Sequence, residues 1–145
     1  MKKENLINRP ADALPLIKGY APKRQEHFGI ICLDSGHRVI RRKVLFIGGD
    51  MTCNVPARPV MWEACRAGAA GVILFHNHPS GDCTVSPQDR KTTKDLAEGF
   101  NVLGIGLLDH IIVGNPWGRE VNYFSFFEHG LIENSKDGAF LNVAD

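Results

Sequence analysis

Apolar runs bounded by turn residues predict most of the strands of this chain. Residues 28–33 form a near-continuous apolar run, and the Asp34-Ser35-Gly36 break after it predicts a tight turn. Residues 37–40 alternate between polar and apolar, which is typical of a strand with one face in water. In chain order, the predicted strands cover residues 28–33, 37–40, 44–47, 72–75, 106–113 and 123–127.

Apolar residues at helical spacing predict three helices. The clearest covers 86–103, because Ser86 suits the N-cap, Pro87 suits the first helical position and Gly104 follows the end. Weaker signals predict a short helix at 10–18, capped by Asn8, and a helix at 58–70. The resulting order of strands and helices predicts a mixed α/β domain in which helices pack on a sheet, without strict βαβ repetition.

Composition narrows the class of protein. A chain of 145 residues fits one compact domain, which we place at 23–133, between an N-terminal arm (1–22) and a C-terminal tail (134–145). The net charge of +1 does not indicate a protein that coats polyanions. The four cysteines contain no C-x-x-C pair, and no stretch resembles a signal peptide or a membrane span. We therefore expect a reduced, cytoplasmic protein that does not associate with membranes.

Candidate metal ligands follow the strand predicted at 72–75. His76 and His78 are two residues apart, so at the end of a strand both imidazoles face the same side. Pro79 and Gly81 then turn the chain, which allows Asp89, at the third position of the next helix, to return to the same space. Two histidines and one carboxylate are a ligand set of catalytic zinc sites. We therefore expect His76, His78 and Asp89 to bind zinc.

Each part of this pattern has a plainer interpretation when taken alone. An H-x-H pair is often polar surface, and Ser86 with Asp89 is also an ordinary capping box. Their combination after a buried strand favours the metal site. We expect Ser86 both to cap the helix and to stabilise an oxyanion, and Cys83 to be a loop thiol.

Neighbouring polar residues suggest further roles. Asp82 is a candidate to orient a histidine ligand, and Asp109 with His110 is expected to be a structural hydrogen-bonded couple. A hydrolytic site also needs a general base for the attacking water. Glu26, before the first core strand, and Glu63, on a helix, are the candidates, although composition alone favours a surface charge for Glu26.

The pattern His76-x-His78, Ser86-x-x-Asp89 matches the JAMM motif of the MPN+ (JAB-domain) metalloproteases. From about residue 6 to 133 the chain resembles the RadC branch of that family. The segments that carry this resemblance are 76–82, 107–114 and 123–130, together with Thr93. The resemblance implies a cytidine-deaminase-like JAB/MPN fold, a mixed sheet flanked by helices. It also implies zinc ligands at His76, His78 and Asp89, an assisting Ser86, and Glu26 as the base.

These roles predict a zinc-dependent hydrolase, a metallopeptidase acting on a protein or peptide substrate. The alternative is an accessory factor of DNA repair with structural or vestigial zinc, or a nuclease. It is suggested by the family's association with repair and by a basic cluster formed by Arg38, Arg41, Arg42 and Lys43. RadC proteins usually carry an N-terminal helix-hairpin-helix region, and only about 22 residues precede the domain here. We therefore expect that DNA-contacting module to be absent.

Overall fold

A computed structural model describes residues 5–48 and 55–132 of the chain. Within these residues, five strands form one sheet in the order β2-β1-β3-β4-β5. The strands are β1 (Glu26–Leu33), β2 (Val39–Gly48), β3 (Gly71–Asn77), β4 (Gly106–Gly114) and β5 (Asn122–Ser125). The helices are α1 (Pro10–Ile17), α2 (Ala57–Arg66) and α3 (Pro87–Val102). The predicted α/β class, with a mixed sheet flanked by helices, is confirmed.

β3 is the central strand and the most buried one. It pairs in parallel with β4 and antiparallel with β1, and every residue from Gly71 to Asn77 is buried. The parallel pair requires a crossover, which α3 supplies. Because helices cover both faces of this strand, its sequence is continuously apolar rather than alternating. It leads directly into the histidine pair.

The helices divide the core into two layers of side chains. α2 and α3 cover one face of the sheet with Val60, Ala64, Leu96 and Phe100. α1 and the residues around it cover the other face with Ile7, Ala13, Ile17 and Ala21. Residues assigned to the N-terminal arm therefore form one layer of the core. The division into arm, domain and tail stays a prediction, and the tail at 134–145 lies outside the described residues.

Two strands that the pattern separated, 37–40 and 44–47, are one continuous strand, β2. The prediction failed because polar residues interrupt the apolar run. Within β2, the Arg41 and Lys43 side chains pair with Glu63 of α2, and Arg42 donates to the main-chain oxygen of Leu16. β2 lies at the edge of the sheet, and the Arg41 and Lys43 side chains remain partly exposed to solvent.

Element ends also differ from the predictions. Arg9, rather than Asn8, is the N-cap of α1, and the Asp12 carboxylate accepts from the main-chain N–H groups of both Asn8 and Arg9. β5 ends at Ser125, because the N–H of Phe127 turns away to donate to Asp109. The sequence after the predicted strand 44–47 also favours a loop at 50–58, and most of that segment lies outside the described residues. No helix within the described ranges is long and apolar enough to span a membrane.

Candidate metal centre

The structure brings the three predicted ligands together. His76 Nε2 lies 3.3 Å from Asp89 Oδ1, and His78 Nε2 lies 3.3 Å from Asp89 Oδ2. The two Nε2 atoms are 3.0 Å apart. One potential ligand atom from each residue thus falls within 4.8 Å of the others. This cluster joins the end of β3 to the beginning of α3.

A tight turn after β3 holds His78 in this position. The His78 N–H continues the sheet by donating to the main-chain oxygen of Val113, and the Gly81 N–H closes the turn onto the oxygen of His78. Gly81 has a φ of 86°, and a Cβ there would lie 2.5 Å from the Cα of Pro116. The turn therefore requires glycine for its backbone conformation and for its packing.

Helix capping places Asp89. The Asp89 N–H donates to Ser86 Oγ, and the Ser86 N–H donates to Asp89 Oδ2, each at 3.0 Å. This is the capping box that the sequence predicts, and it aims the Asp89 carboxylate at the histidines. Burial raises the pKa of Asp89, but the hydrogen bonds with His76 and His78 outweigh it and hold this pKa well below its usual range. Asp89 is therefore ionised, as a metal ligand must be.

The polarity of the converging atoms suits a cation. His78 Nδ1 lies 2.8 Å from the main-chain oxygen of Asp82, which can only accept, so Nδ1 carries the proton and Nε2 of the neutral ring has a lone pair. The Asp89 oxygens are also acceptors. Acceptors this close are stable only with a proton or a cation among them, and the set of two imidazoles and one carboxylate fits zinc.

When the cluster holds no cation, the neighbouring acceptors favour a proton on His78. Burial lowers the pKa of His78, but hydrogen bonds to Asp89 and to the Asp82 carbonyl outweigh burial and raise it. Asp82 thus orients a histidine, as predicted, although through its main-chain oxygen. Its carboxylate instead accepts from the N–H and the hydroxyl of Thr84.

Glu26 is the first residue of β1, the strand that lies antiparallel beside β3. Phe28 pairs with His76 in the antiparallel register, and extending that register by two residues sets Glu26 opposite His78. Glu26 is half-buried, and its negative charge contributes to the raised pKa of His78. The structure therefore places Glu26 within electrostatic reach of the candidate ligands.

Glu63, the competing candidate base, is engaged elsewhere. It is only 3% exposed, and its carboxylate lies 2.5 Å from Arg41 Nε and 3.5 Å from Arg66 Nη2. These contacts fasten α2 to the edge strand β2. Because these ion pairs already engage its carboxylate, Glu63 is a poor candidate for the base.

Ser86 is the helix cap and Cys83 is the loop thiol that the sequence predicts. The Ser86 oxygen acts as an acceptor in the helix cap, a bond that does not use its hydroxyl proton. Cys83 Sγ contacts the main-chain oxygens of Gly81 and Asn122, and burial raises the pKa of this thiol to about 11. This environment is typical of an unreactive loop thiol.

Asp109 and His110 are hydrogen-bonded as the sequence suggests, but through the His110 main-chain N–H, which donates to Asp109 Oδ1, and not through their two side chains. They are adjacent on β4, so their side chains point to opposite faces of the sheet. The Asp109 carboxylate accepts from Ser125 Oγ, whereas the His110 ring contacts His76 and Thr93. Burial is the main cause that lowers the pKa of His110 well below its usual value.

His110 was missed as part of the site because no local spacing connects it with His76. The signal that reveals it is the parallel pairing of β3 with β4, in which His110 lies beside Leu74, two residues before His76 on the same face. Sequence reasoning had no means to establish this register.

Comparison with known proteins identifies the family and agrees with the fold. A family model described as the RadC-like JAB domain matches residues 7–131. A UPF0758 protein of Listeria monocytogenes is 44% identical over 130 residues, which cover 89% of this chain and 56% of the relative. A UPF0758 protein of Geobacillus thermodenitrificans is 50% identical over 108 residues, covering 74% of this chain and 46% of the relative.

The range matched by the family model includes every candidate ligand and Glu26. The names of the two relatives state no activity. The chain spans about half the length of the curated relatives it matches. The family model nevertheless covers most of the chain, and the observed fold brings the histidine pair at the end of β3 close to the capped aspartate at the beginning of α3. The chain belongs to the RadC-like JAB domain family.

Proposed function

We propose that this domain is a zinc-dependent hydrolase that cleaves amide bonds in peptide or isopeptide substrates. The observation that carries the proposal is the convergence of His76, His78 and Asp89, with Glu26 on the neighbouring strand within electrostatic reach of His78. Bound zinc would polarise the scissile carbonyl and activate water. His76 and His78 would hold it through Nε2, and Asp89 through its carboxylate.

The remaining chemistry belongs to Glu26 and Ser86. Glu26 would accept a proton from the attacking water and deliver it to the leaving amine, acting first as a base and then as an acid. Its place at the start of a core strand fixes its backbone, which favours repeated proton transfer at one position. The Ser86 hydroxyl would donate a hydrogen bond to the oxyanion of the tetrahedral intermediate.

The basic cluster gives little support to a nucleic-acid function. Lys43 and Arg41 pair with the buried Glu63, and Arg42 donates to Leu16 and lies over the Tyr20 ring at 5.8 Å. These charges have internal partners, so phosphate contacts would compete with interactions that hold β2 to the core. DNA binding therefore stays a prediction without a structural observation in its favour.

Glu26→Gln tests the hydrolase assignment. The purified zinc-loaded chain is incubated with a peptide mixture and with lysine isopeptides, and new amino groups are identified by mass spectrometry. Because the amide cannot accept the proton, we expect Glu26→Gln to reduce cleavage by about 10²–10⁴-fold. Its zinc content should equal that of the wild type.

Glu98→Gln is the matched control, since Glu98 is an exposed residue of α3. It should cleave at the wild-type rate. Equal activity of Glu26→Gln and wild type would contradict the role of Glu26. Cleavage of DNA oligonucleotides, with no cleavage of any amide substrate, would contradict the substrate class.

A further inference from the structure

His110 is a fully buried histidine that the proposed chemistry does not use directly. Its ring stacks on Phe126, with centroids 4.9 Å apart and planes 14° apart, and it meets Phe28 edge-on. Both ring nitrogens have polar partners. Nε2 lies 2.7 Å from His76 Nδ1, and Nδ1 lies 2.6 Å from Thr93 Oγ1.

Thr93 determines the direction of these hydrogen bonds. Its Oγ1 lies 2.7 Å from the main-chain oxygen of Asp89, and a carbonyl oxygen can only accept. The single hydroxyl proton must therefore go to Asp89, because otherwise two acceptor oxygens would face each other at this distance. Thr93 consequently accepts from His110, and the proton of His110 lies on Nδ1.

The donor and acceptor of the hydrogen bond between His110 and His76 follow from this assignment. A neutral ring protonated on Nδ1 has its lone pair on Nε2, and burial between two phenyl rings favours the neutral form of His110. His110 Nε2 thus accepts from His76 Nδ1. The proton of His76 lies on Nδ1, and its Nε2 lone pair faces Asp89 Oδ1.

We propose that His110 and Thr93 are positioning residues of the metal site, which set the tautomer and the ring orientation of His76 through a directed hydrogen-bond relay. The relay runs from His76 through His110 and Thr93 to the main-chain oxygen of Asp89. It begins at one candidate ligand and ends at another, and so it also ties the first turn of α3 to β3. This role rests on the proposed zinc site.

The two histidine ligands differ in how they are oriented. His78 is held by the Asp82 carbonyl within its own turn, independently of the relay. Loss of the relay should therefore disturb one imidazole and leave the other in place. The expected consequence is a weakened metal site, by about 10–100-fold in affinity, as is typical when contacts that orient ligands are removed.

The test combines zinc affinity with a direct observation of the tautomers. Affinity of the full chain is measured by competition with a chelator. Long-range ¹H–¹⁵N spectra of histidine-labelled, metal-free protein show which nitrogen of each ring is protonated. The variants are His110→Phe, which keeps a buried ring, and Thr93→Val, which removes the hydroxyl at almost constant volume.

Two further variants serve as controls. Thr93→Ser keeps the hydroxyl and should behave as the wild type. Thr92→Val makes the same change one residue earlier on α3, at a buried position outside the relay, and should also bind zinc as the wild type does. Together they separate loss of the relay from a general effect on the helix.

In the wild type we expect both His76 and His110 to be protonated on Nδ1. Thr93→Val should shift the tautomer of His110 and weaken zinc binding by about 10-fold, and His110→Phe should give His76 a mixture of tautomers and weaken binding by up to about 100-fold. The relay is overturned if Thr93→Val, or a folded His110→Phe, retains the wild-type affinity and the His76 tautomer. If His110→Phe does not fold, Thr93→Val decides the question.

Failure of the zinc site itself gives a different result. A folded wild-type chain that binds no zinc would overturn the proposed function. The spectra of the metal-free protein would still decide the relay, since Nε2 protonation of His76 or His110 in the wild type would overturn it.

Discussion

At the scale of single residues, the buried carboxyl group of Asp109 should make stability depend on pH. Its oxygens accept from Ser125 Oγ and from the N–H groups of His110 and Phe127, and the side chain is fully buried. Burial raises the pKa of Asp109 to about 7 and outweighs these three hydrogen bonds. The carboxyl holds the turn after β5 against β4 and carries a proton at mildly acidic pH.

This raised pKa predicts a pH-dependent contribution to stability. Between the ordinary value of 3.8 and about 7, the unfolded chain loses the Asp109 proton and the folded chain keeps it. The folded state then binds more protons, so the contribution of Asp109 to the free energy of unfolding falls as the pH rises through this window. The slope reaches about 1.4 kcal/mol per pH unit for one proton.

Asp109→Asn should remove this dependence, because an amide does not titrate. Urea unfolding between pH 4 and pH 7, with chelator present, should show that the wild type loses stability relative to Asp109→Asn as the pH rises. Asp95→Asn, at an exposed position of α3, should run parallel to the wild type. A constant difference between the wild type and Asp109→Asn across the window would contradict the raised pKa.

Residues whose role follows from local spacing were predictable. His76, His78 and Asp89 belong to one short segment, and strand alternation with a helix cap was sufficient to predict that their side chains converge. His110 was different, because its role depends on which strands are neighbours. The choice of Glu26 over Glu63 followed from the family resemblance and not from the residues alone, and the pairing of β1 with β3 and the ion pairs of Glu63 with β2 agree with it.

At the scale of elements, the N-terminus of α3 performs two tasks at one position. Ser86 satisfies the N–H of Asp89, and Asp89 satisfies the N–H of Ser86 while facing the histidines. The stability of α3 and the orientation of the Asp89 carboxylate are therefore coupled. Variants of Ser86 can separate this structural task from the proposed catalytic one.

Ser86→Ala removes the cap and the hydroxyl, whereas Ser86→Asn keeps a good cap and removes only the hydroxyl. We expect Ser86→Ala to lower the free energy of unfolding by about 1 kcal/mol and to weaken zinc binding. Ser86→Asn should keep wild-type stability and zinc affinity but lose amide hydrolysis by about 10²–10³-fold, since an oxyanion donor is missing. Chemical unfolding, chelator competition and peptide cleavage provide the three measurements.

The role of Ser86 as an oxyanion donor would be contradicted if Ser86→Asn cleaved peptides at the wild-type rate. A role in capping would be contradicted if Ser86→Ala were as stable as the wild type. The two outcomes are independent, because one concerns the reaction and the other concerns unfolding.

Elements with strong local signals were predicted well, and those that depend on distant partners were not. α3 has its cap, its proline and its terminal glycine in sequence, and its observed bounds agree closely with the prediction. β2 was divided in two because the partner of Arg41 and Lys43 is Glu63, about twenty residues away on α2. The packing of α1 against the sheet also could not be predicted from the sequence, because the face that α1 covers is formed by residues from several strands.

At the scale of the whole molecule, the site lies where several element ends meet. The carboxyl end of β3, the amino end of β1 and the amino end of α3 converge at one edge of the sheet. Binding sites of α/β proteins commonly lie at the carboxyl ends of parallel strands, where loops meet a rigid sheet. The fold therefore brings together residues that are about sixty positions apart in sequence.

Because the chain spans about half the length of its curated relatives, substrates and partners stay proposals at this scale. The candidate metal site is formed by described residues of this chain. Each ligand, the facing Glu26 and the relay through His110 lie within the residues matched by the family model. The central claim can therefore be tested on this chain alone.

The most direct test is zinc binding by the metal-free chain, measured by titration calorimetry and by metal analysis after dialysis. We expect about one zinc per chain for the wild type. Asp89→Asn, which keeps an oxygen for the Ser86 N–H, should weaken binding by more than the roughly 10–100-fold typical of residues that only orient ligands. Asp95→Asn should bind as the wild type does. A folded wild-type chain that binds no zinc, or an Asp89→Asn variant with wild-type affinity, would contradict the account.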